Sequence, residues 1–239
     1  MPSPSPRALT LDLDDTLWPI APAIARAERA AEAFLLRHAP RTAARYPRAA
    51  LRTLREQVAC ERPDLAHDLA AQRLLTLRRA LAESGDDPRL AEPAFDAFMA
   101  ERQRVEPWED VPRHLPRLAG RYPLGAVTNG NADLGRIGLA GHFRFCLGAR
   151  EHGAAKPAAS IFLAACARLG LPPTQVLHVG DDPELDIEGA RRAGLATCWI
   201  NRDGRTWPGH LQPPDWTVRD LEDLTQCLTH GEPVAWSTP

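Results

Sequence analysis

Two short clusters of aspartate carry the first chemical signal: Asp12-Leu13-Asp14-Asp15-Thr16, and Gly180-Asp181-Asp182-Pro183-Glu184-Leu185-Asp186. A carboxyl with an ordinary pKa of about 3.9 is ionised at neutral pH, so it is an oxygen nucleophile that needs no separate base. Brought within ~4 Å of each other, two carboxylates repel by ~4 kcal/mol at an effective dielectric of ~20. Several together require a hard cation with oxygen ligands, and Mg²⁺ fits best because it leaves positions for phosphate oxygens. Among the 29 lysines and arginines, Lys156 is the one lysine. A compact ammonium used once, where arginine serves everywhere else, marks a place that wants a point charge. Thr128 offers a hydroxyl, and the loops after Asp12 and Thr128 offer backbone N–H groups to an anion. Together these are the requirements of in-line phosphoryl transfer, which rests on positioning and charge stabilisation.

Such groups act together only if the chain delivers them to one edge. The apolar run 8–11 stops abruptly at Asp12, which reads as a buried strand with carboxylates at its carboxyl end. Beyond residue 111, apolar strands alternate with helices: helix 112–119, strand 123–127, helix 132–138, strand 145–147, helix 158–169, strand 175–179, helix 185–193 and strand 196–200. That alternation predicts an α/β fold with a parallel sheet covered on both faces. Parallel sheets bind ligands outside the carboxyl ends of their strands, at the switch in strand order. Asp12, Thr128 and Asp181 each stand at such an end. Between 19 and 105 the pattern is helical, as in Ile24, Ala27, Ala31, Phe34 and Leu35, then Leu74, Leu77 and Leu81. Breaks at Pro40, Pro47, Pro63 and 84–88 divide it into about four helices packed as a bundle.

Composition narrows the class. Of 239 residues, 44 % are hydrophobic and 25 % charged, which excludes wholesale disorder. With 29 basic against 31 acidic residues the net charge is −2, so no global field draws the chain to nucleic acid or anionic lipid. No apolar run reaches the ~18 residues of a membrane span. Cys60, Cys146, Cys166, Cys198 and Cys227 form no CxxC pair, so neither a zinc site nor a disulfide framework is expected. The segment 1–7 lacks the apolar stretch of a secretory signal and reads as a frayed tail, and a reducing cytoplasm is the expected address.

The set Asp12-Leu13-Asp14-Asp15-Thr16, Thr128-Asn129, Lys156-Pro157 and Gly180–Asp186 resembles the four motifs of the haloacid dehalogenase (HAD) superfamily, in the same order and over nearly the whole chain. The resemblance implies a Rossmann-like parallel-sheet core, 1–17 and 106–239, with an α-helical bundle cap inserted at 18–105. The interval after the first motif is long enough for that cap, whereas 129–155 is too short to hold one. The stretches 11–17, 127–132 and 177–182 are similar to a bacterial branch that hydrolyses flavin mononucleotide and is linked to a phosphoribitylamino-uracil intermediate of riboflavin metabolism. By resemblance, Asp12 is the nucleophile that becomes an aspartyl-phosphate, and Asp14 protonates the leaving alkoxide and later deprotonates water. Thr128, Asn129 and Lys156 bind the phosphate. Mg²⁺ is held by Asp12, the Asp14 backbone carbonyl and Asp181, while Asp186 orients a bound water or Lys156. Asp182 receives no ligand role. Dehalogenases resemble this motif without the second aspartate, because halide needs no acid to leave, so Asp14 points to a phosphatase. The expected partner is a small phosphorylated metabolite; the sequence fixes no oligomeric state. Alternatives are a sugar-phosphate phosphatase, a phosphomutase, a phospho-aspartate receiver and a non-catalytic binding protein.

Other residues receive plainer readings. Asp15 is a helix-start or solvent residue, Gly130 serves a turn or a close phosphate approach, and His178 is a hydrogen-bonded core histidine. His152 is structural. Arg41, Arg45, Arg48, Arg52 and Arg55 read first as a solvated helix face, the alternative being a patch that steers anionic substrates. Trp18, Trp108 and Trp199 read as packing residues of the core or hinge.

Overall fold

The computed structural model describes residues 6–230. Of the expected frayed tail, 1–5 lie outside the described residues, whereas the Arg7 amide donates to the Gln175 carbonyl at 2.8 Å and is tied down. Two compact units divide the chain. One takes the residues through 19, 106–130 and 134 onward; the other takes 20–105 and 131–133.

Six strands form the first unit's sheet: β1 (Ala8–Leu11), β2 (Leu124–Thr128), β3 (Phe145–Gly148), β4 (Val176–Gly180), β5 (Ala196–Ile200) and β6 (Trp216–Val218). All pair in parallel, in the order β3-β2-β1-β4-β5-β6. The fold is the Rossmann-like α/β sheet that the alternation predicts. Sequence patterning misses β6, whose three residues are too few to show a period. Strands β1, β2 and β4 are buried throughout, as parallel strands covered on both faces must be. Strand order reverses beside β1, and the crevice for a ligand lies beyond the carboxyl ends there. Register sets Leu11 beside both Ala126 and Val179, so the chain leaves the sheet at Asp12, Thr128 and Asp181 at nearly one level.

The second unit is helical: α1 (Ile20–His38), α2 (Pro40–Arg45), α3 (Arg48–Glu61), α4 (Leu69–Ser84) and α5 (Ala91–Arg102). Helix α1 buries Ala23, Ala27, Ala31 and Leu35, a stripe at steps of four that packs against Ala91, Ala94 and Phe98 of α5. Small alanines let the two backbones approach closely. Asp68 caps α4 by accepting from the Ala71 amide at 2.9 Å, and Gly85 ends it in a left-handed conformation at φ 76°. Where Pro40 reads as a simple break, the structure starts a short extra helix, since proline suits a first helical position.

The first unit's helices are α6 (Val111–Arg121), α7 (Leu134–Ile137), α8 (Ala149–His152), α9 (Ala159–Leu169), α10 (Gly189–Arg192) and α11 (Leu221–His230). Helix α9 places Ile161 and Phe162 on Val127, Leu147 and Val176. Burying Phe162 alone stabilises the fold by roughly 1.5–3 kcal/mol. Two expected helices are cut short. The 132–138 helix shrinks to α7 because the Gln103 side chain donates to the Asn131 carbonyl (2.9 Å) and accepts from the Asp133 amide (2.8 Å), claiming backbone groups that a helix needs. The 185–193 helix begins as a wide π-helical turn, Pro183–Glu188, and only then becomes α10. There the Ile187 amide reaches back to the Asp182 carbonyl at 3.2 Å. Among the described residues, no helix is long and apolar enough to cross a membrane.

Candidate active site

Strand β1 ends in Asp12, whose amide donates to the Val179 carbonyl at 2.9 Å, so the neighbouring strand fixes the backbone of this residue. The chain then folds back on itself. Asp15 adopts φ 59°, a left-handed conformation that aspartate tolerates better than most residues. Its amide meets the Trp18 carbonyl at 2.8 Å. No helix starts at Asp15; it is an exposed turn residue. This fold-back buries Trp18 and aims its indole Nε1 at Asp14 Oδ1, 2.8 Å away. Trp18 is thus more than packing: its one side-chain donor holds the carboxyl of Asp14.

Lys156 is 5 % exposed, and its Nζ lies 2.5 Å from Asp12 Oδ1 and 2.6 Å from Asp186 Oδ1. Asn129 clamps the Lys156 backbone at both polar groups, accepting from its amide (2.8 Å) and donating to its carbonyl (3.0 Å). The side chain of Asn129, expected on the phosphate, is therefore placed on the lysine loop. The Thr128 hydroxyl, buried at the end of β2, accepts from the Gly130 amide at 2.9 Å, which makes Gly130 a turn residue and leaves the hydroxyl proton to donate. Thr16 donates towards Asp12 Oδ2 and Asp181 Oδ1, 3.4 Å from each.

Asp186 lies beneath this layer. Its Oδ1 faces His178 Nε2 at 3.3 Å and its Oδ2 accepts from the Asp182 amide at 3.1 Å. His178, fully buried, is anchored in turn by the Thr10 hydroxyl at 2.9 Å, in line with a core histidine. Gly180 makes the approach possible, because a Cβ there would stand 2.3 Å from Asp186 Cγ. Asp182 is spent on capping, accepting from the Glu184 and Leu185 amides at 2.8 Å each. Asp181 is held from the far side: Trp199 Nε1 and Arg205 Nη2 donate to its carbonyl at 2.8 and 2.6 Å. Arg205 had no motif to announce it. Thr16, inside the first motif and four residues beyond Asp12, was the more visible of the two.

The electrostatics rank the charges of the site. Burial alone would discharge Lys156, but Asp12 and Asp186 hold it firmly protonated. Burial also raises Asp186, yet Lys156 and His178 bring it well below the ordinary carboxylate range. Asp12 is less well compensated: burial and the neighbouring carboxylates push it up against the pull of Lys156. Burial, Asp186 and Asp15 push Asp181 up to about 7. One buried lysine, with exposed Arg205 whose Nη2 lies 3.4 Å from Asp181 Oδ2, therefore serves three carboxylates. Ligand oxygens of Asp12, Asp181 and Asp186 all come within 4.8 Å of one another. Hard oxygen donors carrying excess negative charge fit a divalent cation, and Asp12 and Asp181 are the two whose charge is least answered by protein groups.

Comparison with known proteins agrees with this geometry. Residues 6–194 match the haloacid dehalogenase-like hydrolase family. The chain belongs to that family. This HAD-like hydrolase is 35 % identical to the 5-amino-6-(5-phospho-D-ribitylamino)uracil phosphatase YigB of Escherichia coli, over 86 % of this chain and 90 % of that one. It is 40 % identical to the E. coli pyrimidine 5′-nucleotidase YjjG over 48 % of this chain and 53 % of the relative. Among solved structures, a 2-haloacid dehalogenase from Pseudomonas syringae pv. Tomato shares 37 % identity, covers 94 % of this chain and 98 % of its own, and superposes with a TM-score of 0.88. With its relatives named for phosphate esters, the HAD-like hydrolase is an enzyme of the phosphatase kind.

Proposed function

We propose that the protein is a Mg²⁺-dependent phosphomonoesterase that forms an aspartyl-phosphate on Asp12 and acts on a small phosphorylated metabolite. The observation that carries this reading is the pairing of two differently held carboxyls on one strand end. Asp12 is buried against an ammonium, and Asp14, two residues on, is gripped by the Trp18 indole. In the first half-reaction an Asp12 oxygen attacks phosphorus, the phosphorus–ester oxygen bond breaks, and Asp14 gives its proton to the departing alkoxide. In the second, water attacks the aspartyl-phosphate while Asp14 takes its proton, releasing inorganic phosphate and restoring Asp12. Lys156 and Thr128 steady the phosphoryl oxygens. Asp12, Asp181 and the Asp14 carbonyl would hold Mg²⁺, which when bound supplies positive charge against the developing charge on phosphorus. Asp186, with His178 behind it, fixes Lys156. The helical unit takes the role of cap and selects the leaving group.

For substrate, the reading favoured is the phosphoribitylamino-uracil of riboflavin synthesis or flavin mononucleotide, because the relative named for the former matches along most of both chains. Carbon–halogen cleavage is the second reading, favoured by the name of the solved relative. A buried donor spent on orienting Asp14 argues against it, since halide departs without an acid. The test is a kcat/KM ranking over flavin mononucleotide, the uracil intermediate, hexose and triose phosphates, nucleotides and 2-haloacids, with chelator and added Mg²⁺ as controls. Phosphate release led by the two flavin-pathway esters is expected, silenced by EDTA and restored by Mg²⁺. A flat ranking would remove the substrate assignment, full activity in EDTA the metal, and halide release the chemistry.

A further inference from the structure

The helical unit contains a cavity of its own, between α1, α3, α4 and α5, with a volume of about 40 Å³. That is room for roughly three water-sized groups. That volume matches a carboxylate or a phosphoryl group, and apart from its charged residues the cavity is lined mainly by Ala31, Leu51, Leu77 and Phe98. Arg48, Arg52, Arg55 and Arg73 line it against a single acidic residue, Glu28. The first three come from the arginine run whose spacing reads first as a solvated face.

Two of these four cations are answered. Arg48 Nε lies 3.0 Å from Glu32 Oε2, and Arg52 Nη2 lies 3.6 Å from Glu28 Oε2. Among the described residues, no carboxylate stands within ion-pair distance of Arg55 or Arg73, and no acceptor takes a hydrogen bond from either. Arg73 is half-buried, its guanidinium stacked over the Phe98 ring at 3.7 Å from the centroid. Burial and the like charge of Arg55 work against its protonated form, and the charge of Glu28 offsets them only in part. A stacked, half-buried guanidinium whose N–H donors make no hydrogen bond within the described residues is an arrangement that favours a planar or tetrahedral oxyanion, bound through paired N–H···O contacts.

We propose that this cavity is an oxyanion-binding site, in which Arg55 and Arg73 receive a carboxylate or phosphate group. The group is that of a free anion, for which inorganic phosphate is the probe.

The experiment is phenylglyoxal labelling of the full-length protein with and without inorganic phosphate, read arginine by arginine by peptide mass spectrometry. Phosphate at tenfold its Kd should slow modification of Arg55 and Arg73 by about tenfold. Arg62 and Arg89, exposed on the same unit, should keep their rates. Equal rates at Arg55 and Arg73 with and without phosphate overturn the site. Arg73→Met keeps a chain of similar length over Phe98 and should raise the phosphate concentration that protects Arg55 by about tenfold, the value of one charge-assisted contact. Its melting temperature without anion should be unchanged or higher; a fall, with Arg55 protection intact, marks a purely structural arginine and overturns the proposal. The labelling does not depend on the phosphatase reading, so either can fail alone.

Discussion

Two ion pairs of one length, 2.6 Å, occupy the two units. In the sheet unit, Lys156 Nζ meets Asp186 Oδ1 with side chains 3 % and 2 % exposed; in the helical unit, Arg62 Nη2 meets Asp64 Oδ2 with side chains 46 % and 60 % exposed. Distance is equal and solvent is not. At ~4 Å a pair of unit charges interacts by ~1 kcal/mol in water and by ~4 kcal/mol at the effective dielectric of ~20 found nearer protein. The exposed pair also spends side-chain entropy to hold its geometry. The buried pair, by contrast, cannot lose one member without stranding the other, and that makes it a rigid part of a site. Function lies where the charges have no alternative partner.

The sharpest break of the comparison is chemical. Asp12→Asn keeps the shape of the buried edge and removes the attacking oxygen's charge, so phosphate release should fall by roughly 10⁴-fold or more, a magnitude typical of lost nucleophiles. Activity within tenfold of wild type would sink the assignment of Asp12. Next comes the lysine. Lys156→Met fills a similar volume but leaves Asp12 and Asp186, 6 % and 1 % exposed, without their ammonium. Breaking a buried pair in this way costs about 3–5 kcal/mol. Urea denaturation in chelator should show that loss, with part of it recovered on adding Mg²⁺; an unmoved midpoint would mean that the carboxylates were never strained.

How much of this was visible in the sequence depends on whether a residue acts through its own spacing or through folding at a distance. Asp12, Thr128 and Asp181 were legible because each ends an apolar run, and a parallel strand has to shed its polar residues at its carboxyl end. Lys156 stood out by rarity. The grip of Trp18 on Asp14 was not legible, since it depends on the left-handed turn at Asp15 that folds position 18 back upon position 14. Arg205 was hidden because its link to Asp181 crosses from the loop after β5 to the end of β4. The attachment of 131–133 to the helical unit includes two hydrogen bonds to Gln103, some thirty residues earlier in the chain.

Between the two extremes stands Asp110 with Arg202, whose side chains are 13 % and 10 % exposed. Burial would raise the carboxyl of Asp110, but the Arg202 guanidinium and the Leu221 amide hold it below its ordinary value. A depressed acid contributes stability that is complete above its unfolded pKa of about 4 and is lost as pH falls through the folded one. Asp110→Asn should therefore cost about 2 kcal/mol at neutral pH, the scale of hydrogen bonds to charged groups. In urea titrations the gap to wild type should narrow below pH ~4. A gap that stays constant down to acid would show that shape, not charge, makes this contact. Smaller still is Trp18→Phe, which keeps the buried ring and removes the indole donor to Asp14. It should lower kcat about tenfold on alkyl phosphates, whose leaving groups need the proton, and less on p-nitrophenyl phosphate, whose leaving group does not. Equal losses on both would make Trp18 a packing residue after all.

At the bottom of the scale is the pair that opened the comparison. Arg62 and Asp64 exchange two contacts, at 2.8 and 2.6 Å, a geometry that among buried residues would be decisive. The guanidinium lowers the Asp64 pKa and is itself raised. Yet both groups are open to water, which solvates either one as soon as the other leaves, and ions at physiological strength screen what attraction remains. Arg62→Ala should leave the melting temperature and kcat/KM indistinguishable from wild type. A clear loss of stability would mean that the segment before α4 relies on this contact for its course, and that burial alone does not separate the two pairs.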